Sequence, residues 1–259
     1  MEIPEAHKEI VDFIAGYIGE FAPGGAVIGL SGGLDSAVTA ALSVEAIGKE
    51  KVDIIALPYR ASASSSVSDA EKIAKHLGLE LETFDISETV DTAAKKLGEF
   101  GELDRVRLGN IAARVRMIFL YDISKARRKL VIGTGNRSES LLGYTTLWGD
   151  MACAIAPLGD LFKTQERNLA AEIGLPRWII EKTPSADLWK GQTDEGEMGI
   201  TYETADRILY NLFDVGKSPE ELIAEGYKKE EVELVIKKYE SSHFKRRMPL
   251  TPGLTGVRF

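Results

Sequence analysis

Short apolar runs alternate with helically spaced segments along this chain, and a Gly-rich hairpin joins the first apolar run to an Ala-rich stretch. Together these predict an α/β fold: a Rossmann-like, doubly wound parallel sheet with flanking helices. The opening segment repeats apolar residues at Ile10, Val11, Ile14, Tyr17, Ile18 and Phe21, which is helical spacing. Pro4 suits its first turn, and Pro23-Gly24-Gly25 stops it. Ala26 to Leu30 reads as a buried strand, and Ala37 to Ile47 as a helix. Val52 to Leu57 is a second buried strand, closed by Pro58. Residues 61–68 are nearly all Ala and Ser and predict a mobile loop. Asp69 to Leu77 is helical, and Leu79 to Phe84 alternates like a strand. A long helix follows from Leu103 to Ala126, then a strand from Lys129 to Gly133. Thr134 to Asp150 is turn-rich with one short helical piece, and Lys163 to Ile173 is helical. Residues 190–200 are polar and Gly-rich, a second candidate flexible loop, and Tyr202 to Tyr239 carries three short helical patterns.

The 259 residues, 44% of them hydrophobic, suffice for a sizeable core. With no repeat and no linker, residues 1–259 read as a single domain. The 40 acidic residues outnumber 32 Lys plus Arg, giving a net charge of −8. That balance argues against a general nucleic-acid binder, which must meet phosphates with a basic surface. The lone Cys153, in an apolar context, excludes a disulfide framework and a cysteine-built metal centre, and reads as a packing residue. No signal peptide is visible and no apolar run is long enough to span a membrane, so the expected compartment is the cytoplasm.

The hairpin Gly29-Leu30-Ser31-Gly32-Gly33-Leu34-Asp35-Ser36 lies where a strand turns into a helix. Paired glycines let backbone N–H groups approach a ligand, Ser31 and Ser36 add hydroxyls, and the helix directs its positive dipole end at the loop. These features favour a phosphate-sized anion. Asp35 in such a site calls for a bridging Mg²⁺, which takes carboxylate and phosphate oxygens together. The loop is neither a Walker A sequence nor a dinucleotide fingerprint.

Ser-Gly-Gly-x-Asp-Ser after a strand resembles the pyrophosphate-binding loop of the N-type ATP pyrophosphatases. Within that superfamily the chain resembles the ammonia-dependent NAD synthetases. The carriers are the loop at 29–36, Asn110 to Met117, Gly133 to Glu139, Gly149-Asp150, Pro157 to Gln165, Pro184-Ser185-Ala186-Asp187-Leu188 and Lys245-Arg246. The resemblance implies ATP and deamido-NAD as substrates, ammonia as the direct nitrogen donor, Mg²⁺, and a homodimer. The substrate carboxylate attacks the α-phosphorus, pyrophosphate leaves, and ammonia converts the acyl-adenylate to NAD and AMP. The loops at 61–68 and 190–200 are expected to close over the site and exclude water.

By the same resemblance, Asp35 and Glu139 are metal ligands, Thr134 and Ser185 contact ATP, and Lys163 binds its phosphates. Asp150 helps to hold ammonia, and as a carboxylate it can take the proton that ammonium must lose. Arg114, His243 and Lys245 contact the dinucleotide, and the helix carrying Arg114 belongs to the dimer interface. On spacing alone, Arg107, Asn110 and Arg114 also fit a solvated helix face, Glu139 a helix N-terminal charge, and Ser185 and Asp150 turn positions. The sequence departs from its relatives at Leu147 and Ala154, where they carry a substrate-contacting Lys and Asp. It departs again at His243-Phe244-Lys245, where one residue separates the pair. Two rival readings are another N-type pyrophosphatase acting on a different acid or on tRNA, and a non-catalytic ATP-binding module.

Overall fold

The computed structural model describes residues 2–60, 64–187, 189, 191–247 and 249–253. Its centre is a parallel four-stranded sheet in the order β3-β2-β1-β4, formed by β1 (Ala26–Gly29), β2 (Val52–Ala56), β3 (Leu81–Thr83) and β4 (Leu130–Ile132). Ala26 pairs with Val52 on one side and Leu130 on the other, so β1 is enclosed by both neighbours. A parallel bridge between Ile132 and Ile155 continues the sheet past β4.

Alternation along the strands builds a core on each face. Ile28, Ile54 and Ile132 point to one face, where they meet α1 (Ile3–Phe21), α2 (Leu34–Ile47), α3 (Ser64–Leu77) and, after three helices yet to be named, α7 (Lys163–Glu172). Ile10, Ile14 and Ile18 repeat at one helical spacing and form the buried stripe of α1. Val27, Ile55 and Val131 point to the other face, against α4 (Ser87–Leu97) and α5 (Arg105–Arg127). None of the elements expected from the sequence falls on α4, although Val90, Ala93, Ala94 and Leu97 repeat at helical spacing there and Val90 is buried.

A third cluster is entirely helical. It joins α6 (Arg137–Leu142) to α9 (Asp194–Met198), α10 (Tyr202–Tyr210), α11 (Pro219–Ala224) and α12 (Lys229–Ser241), with α8 (Arg177–Ile180) lying earlier beside α7. The three helices expected after Tyr202 are α10, α11 and α12, with a π turn at Asn211–Val215.

Two expected loops are partly helical. Residues 64–68 are the first turns of α3, although residues 61–63 lie outside the described ones. Ser66 explains part of the difference, because its hydroxyl donates to Asp187 Oδ2 at 2.7 Å and ties the helix start to a distant loop. Residues 194–198 form α9, whose first turn is capped by the Thr193 hydroxyl, while Lys190 lies outside the described residues.

Strands 3-2-1 run outward one way and β4 lies on the other side of β1, so the order reverses between β1 and β4. Open α/β sheets bind ligands in the crevice that opens there, beyond the carboxyl ends of the strands. The turn into β1 is tight enough to need glycine. Gly25 has φ +114°, and a Cβ there would lie 2.0 Å from the Lys51 carbonyl oxygen. Gly25→Ala should therefore destabilise the fold by about 2 kcal/mol or more, read as a lowered denaturant midpoint with an unchanged slope.

Candidate active site

The phosphate loop begins at the end of β1, and α2 starts from Gly33 with no side chain among the described residues capping it. The first N–H groups of that helix therefore remain open to a ligand. The loop braces itself with its own hydroxyls: Ser31 N–H donates to Ser36 Oγ at 3.2 Å, and Ser36 Oγ donates to the Gly33 carbonyl at 3.1 Å. Gly32 adopts φ +78°, and a Cβ there would meet the Ser66 carbonyl oxygen at 2.2 Å. The backbone of α3 thus presses directly on the loop.

A cavity of about 420 Å³ opens above β1, β2 and β4. It collects Gly29, Leu30, Ser31, Gly33, Leu34, Asp35 and Ser36 with Thr134, Glu139, Lys163, Ser185 and Asp150. These come from five separate stretches of sequence, as expected. The other expected contacts lie elsewhere. Arg114 is exposed and holds the Leu147 carbonyl oxygen through Nε (3.2 Å) and Nη2 (3.0 Å). Lys245 Nζ donates to the carbonyl oxygens of Gly143 (2.8 Å) and Thr145 (2.6 Å), and so fixes the loop that leads to Asp150. His243 is exposed in a short 3₁₀ turn. Cys153 is half-buried behind Gly133, as a packing residue should be.

Lys163 is the electrostatic centre of the cavity. It is 1% exposed, with Nζ 2.5 Å from Asp35 Oδ2 and 3.3 Å from Glu166 Oε2. Asn136 Nδ2 donates to the other Asp35 oxygen at 2.8 Å. Burial works against the charge on Asp35, but Lys163 and these hydrogen bonds outweigh it and hold the carboxyl below its usual range. Burial also works against the Lys163 ammonium, and the surrounding carboxylates keep it protonated well beyond its usual range. Glu139 is pushed the other way, by burial first and by Asp35 second, so its carboxyl titrates well above normal. It also forms a capping box with Asn136 at the start of α6, so the helix-end and ligand-facing roles coincide.

Lys163 is an unfavourable residue at a helix N-terminus, and the structure shows what offsets it. Asp206, on α10, accepts from Thr164 N–H at 2.9 Å and from Ser138 Oγ at 2.5 Å. Ser138 Oγ in turn accepts from Lys163 N–H at 2.9 Å.

Several site residues escaped the sequence pattern. Glu166 is fully buried against Lys163, and its only sequence signal is the i,i+3 spacing on α7. Asp194 lines the cavity and accepts from Ala186 N–H at 2.9 Å. Lys182 also lines it, donating to the Gly32 carbonyl and to Asp69 Oδ2, each at 2.7 Å. Nothing in the spacing of Lys182 connects it to a loop 150 residues earlier.

Asp35 and Glu139 offer hard oxygen donors to one cavity, and the Glu139 carboxyl is raised by burial first and by Asp35 second, both of which a divalent cation would offset. Among the described residues no group of three or more His, Cys, Asp or Glu side chains is disposed to hold a metal. Mg²⁺ commonly takes one or two carboxylates and completes its shell with phosphate and water oxygens, and the Asp35 and Glu139 oxygens are donors of that kind.

Residues 6–249 match the family model described as NAD synthase. The chain is 42% identical over 250 residues to the NH(3)-dependent NAD(+) synthetase of Fusobacterium nucleatum, covering 96% of each chain. It is 44% identical over 246 residues to the protein of the same name from Pyrococcus furiosus, covering 95% of this chain and 94% of that one. In structure it matches an NMN synthetase from Francisella tularensis with a TM-score of 0.86 at 32% identity, covering 98% of this chain and 100% of that one.

The Lys182 clamp has a measurable signature. Burial raises the Asp69 carboxyl, but hydrogen bonds from Lys182 and Lys72 overcome this and hold it below its ordinary value of 3.8. A carboxyl lowered in the folded state adds stability that is present above pH 3.8 and lost as pH falls through the lower folded value. In Lys182→Met the Asp69 carboxyl should titrate at higher pH by NMR, and acid unfolding should begin earlier. An unmoved Asp69 titration would contradict the clamp.

Proposed function

The chain belongs to the NAD synthase family, and from that premise we propose that its cavity carries out the ATP-dependent amidation of deamido-NAD with ammonia, releasing AMP and pyrophosphate. The observation that carries this reading is the uncapped N-terminus of α2 facing the same cavity as Lys163, Asp35 and Glu139. The loop from Ser31 to Ser36, with the open N–H groups at the start of α2, receives the pyrophosphate portion of ATP, with Thr134 and Ser185 at the cavity wall. Lys163, held charged by its carboxylate neighbours, stabilises negative charge on the departing phosphates. Asp35 and Glu139 would hold Mg²⁺, which supplies charge neutralisation to the phosphates when bound.

The chemistry on the substrate side is a displacement at phosphorus followed by an addition and an elimination at the acyl carbon. The nicotinate carboxylate forms a bond to the α-phosphorus as the bond to pyrophosphate breaks. Ammonia then adds to the acyl carbon and AMP leaves. Asp150 takes the proton that ammonium must lose. Enclosure by the surrounding protein pushes its carboxyl upward, towards a better base, although the side chain stays open to water through the cavity mouth. A single domain serves the whole reaction, and the protein works in the cytoplasm, in keeping with the absence of any described helix long and apolar enough to cross a membrane.

A second substrate has one observation in its favour. The likeness to an NMN synthetase makes the mononucleotide half of deamido-NAD a candidate acceptor. The deciding assay supplies ATP, Mg²⁺ and ammonium with either acid. Deamido-NAD should give NAD with AMP and pyrophosphate, and removal of Mg²⁺ with EDTA should stop turnover. Release of ADP, or turnover of the mononucleotide alone, would reject the reading. Lys163→Met should lower kcat by about 100-fold or more.

The homodimer rests on α5. Val106, Ile118 and Tyr121 on that helix are 62%, 63% and 43% exposed, an apolar surface costly to leave in water. Ile118→Glu should convert the dimer to a monomer in analytical ultracentrifugation. A wild-type protein that is monomeric at micromolar concentration would remove this part of the proposal.

A further inference from the structure

Three basic residues stand among the described residues lining the cavity: Lys163, Lys182 and Arg116. Lys163 is paired with Asp35 and Lys182 with Asp69. Arg116 forms no ion pair among the described residues. Its Nε donates to the Leu57 carbonyl oxygen at 3.0 Å, just past the end of β2, and that bond fixes the side chain. Burial lowers the affinity of the guanidinium for its proton, opposed by the more distant attraction of Asp187 and Asp150. A guanidinium nonetheless remains charged in proteins. The cavity therefore presents a fixed cation that no described carboxylate closes into an ion pair, although Asp150 and Asp187 stand on the same lining.

Arg114 lies two positions earlier on α5 and on a different side of the helix, since residues two apart do not share a face. It spends its donors on Leu147 outside the cavity. The phosphate loop and Lys163 already account for the pyrophosphate end of ATP. Asp150, the proposed acceptor of the ammonium proton, lines the same cavity as Arg116, and its carboxylate attracts the guanidinium. Arg116 thus belongs with the reacting centre.

We propose that Arg116 is a substrate-contacting residue whose guanidinium binds an oxyanion at the reacting centre, either the α-phosphate of ATP or the carboxylate of the dinucleotide. The two groups become one acyl phosphate, so the chemistry recognised is the same. The assignment rests on the amidation reading for its reaction, though not for its ligand binding. An Arg in this position receives negative charge without giving up a proton, and its fork can hold an oxygen of the adenylate while Nε keeps Leu57.

The test uses Arg116→Gln, which retains an amide donor for the Leu57 carbonyl but removes the charge, and Arg116→Lys, which keeps the charge. Melting temperature and circular dichroism establish that each is folded, and calorimetry with pyrophosphate alone reports whether the phosphate loop is intact. Arg116→Gln should bind pyrophosphate normally and lose about 10- to 100-fold in kcat/KM, while Arg116→Lys recovers part of the loss. If the oxyanion is the α-phosphate, calorimetric affinity for ATP falls. If it is the carboxylate, affinity for deamido-NAD falls. A merely structural Arg gives the opposite pattern, with Arg116→Gln rescued. Unchanged kinetics and unchanged affinity for both ligands in Arg116→Gln overturn the proposal. Should Arg116→Gln not fold, Arg116→Lys decides: unchanged affinity for both ligands with a lowered melting temperature overturns it, and lowered affinity for either supports it. Wild-type protein that turns over neither acid would overturn the amidation reading instead, and the calorimetric comparison would still decide Arg116.

Discussion

The structure turns on a buried ammonium. Lys163 is enclosed by Asp35 from the start of α2 and Glu166 from its own helix, and Asn136 at the start of α6 holds the free side of Asp35. Charges removed from water in this way stabilise a fold only when geometry and hydrogen bonding are good, and breaking such a pair costs about 3–5 kcal/mol. The pair therefore fixes how α2, α6 and α7 stand relative to one another. Asp206 adds α10 to the same arrangement by capping the α7 N-terminus directly and through Ser138. The third, helical core thus reaches the sheet through polar contacts at the site as well as through apolar packing.

That arrangement leaves excess negative charge in the cavity. Glu139 and Glu166 both titrate well above normal, because burial and the nearby Asp35 carboxylate disfavour their charged forms. Both oxygens of Glu166 lack a hydrogen-bond partner among the described residues, and its contact with Lys163 is an ion-pair distance of 3.3 Å. A site built this way has unfavourable electrostatics in the absence of a ligand. Binding energy from a cation and a polyphosphate offsets that cost, a familiar division between stability and function.

The phosphate loop has an independent support. The Gly32 carbonyl accepts from Lys182, and α3 packs so close to Gly32 that no side chain fits between them. Lys182 also holds Asp69 on α3, and Ser66 on the same helix holds Asp187. The stretch from Lys182 to Asp187 therefore acts as a strap across the loop and α3. It places Ser185 at the cavity wall without any regular secondary structure.

The sequence by itself determined the sheet, most of the helices that cover it, and the phosphate loop. Each of these is a local consequence: period-two and helical apolar patterns decide which faces are buried, and paired glycines after a strand decide where N–H groups can approach an anion. It also marked Asp35, Glu139, Lys163, Thr134, Ser185 and Asp150 as members of one site, through motifs whose residues the fold then gathers into one cavity. The five-residue helix α9 is too short to leave a comparable pattern. Tertiary structure alone decided the partners of side chains that reach across long stretches of chain. Lys182 meets Gly32 across 150 positions and Lys163 meets Asp35 across 128. It also decided that Arg116, rather than Arg114, faces the cavity, because a choice between neighbouring arginines depends on which side of α5 the sheet covers.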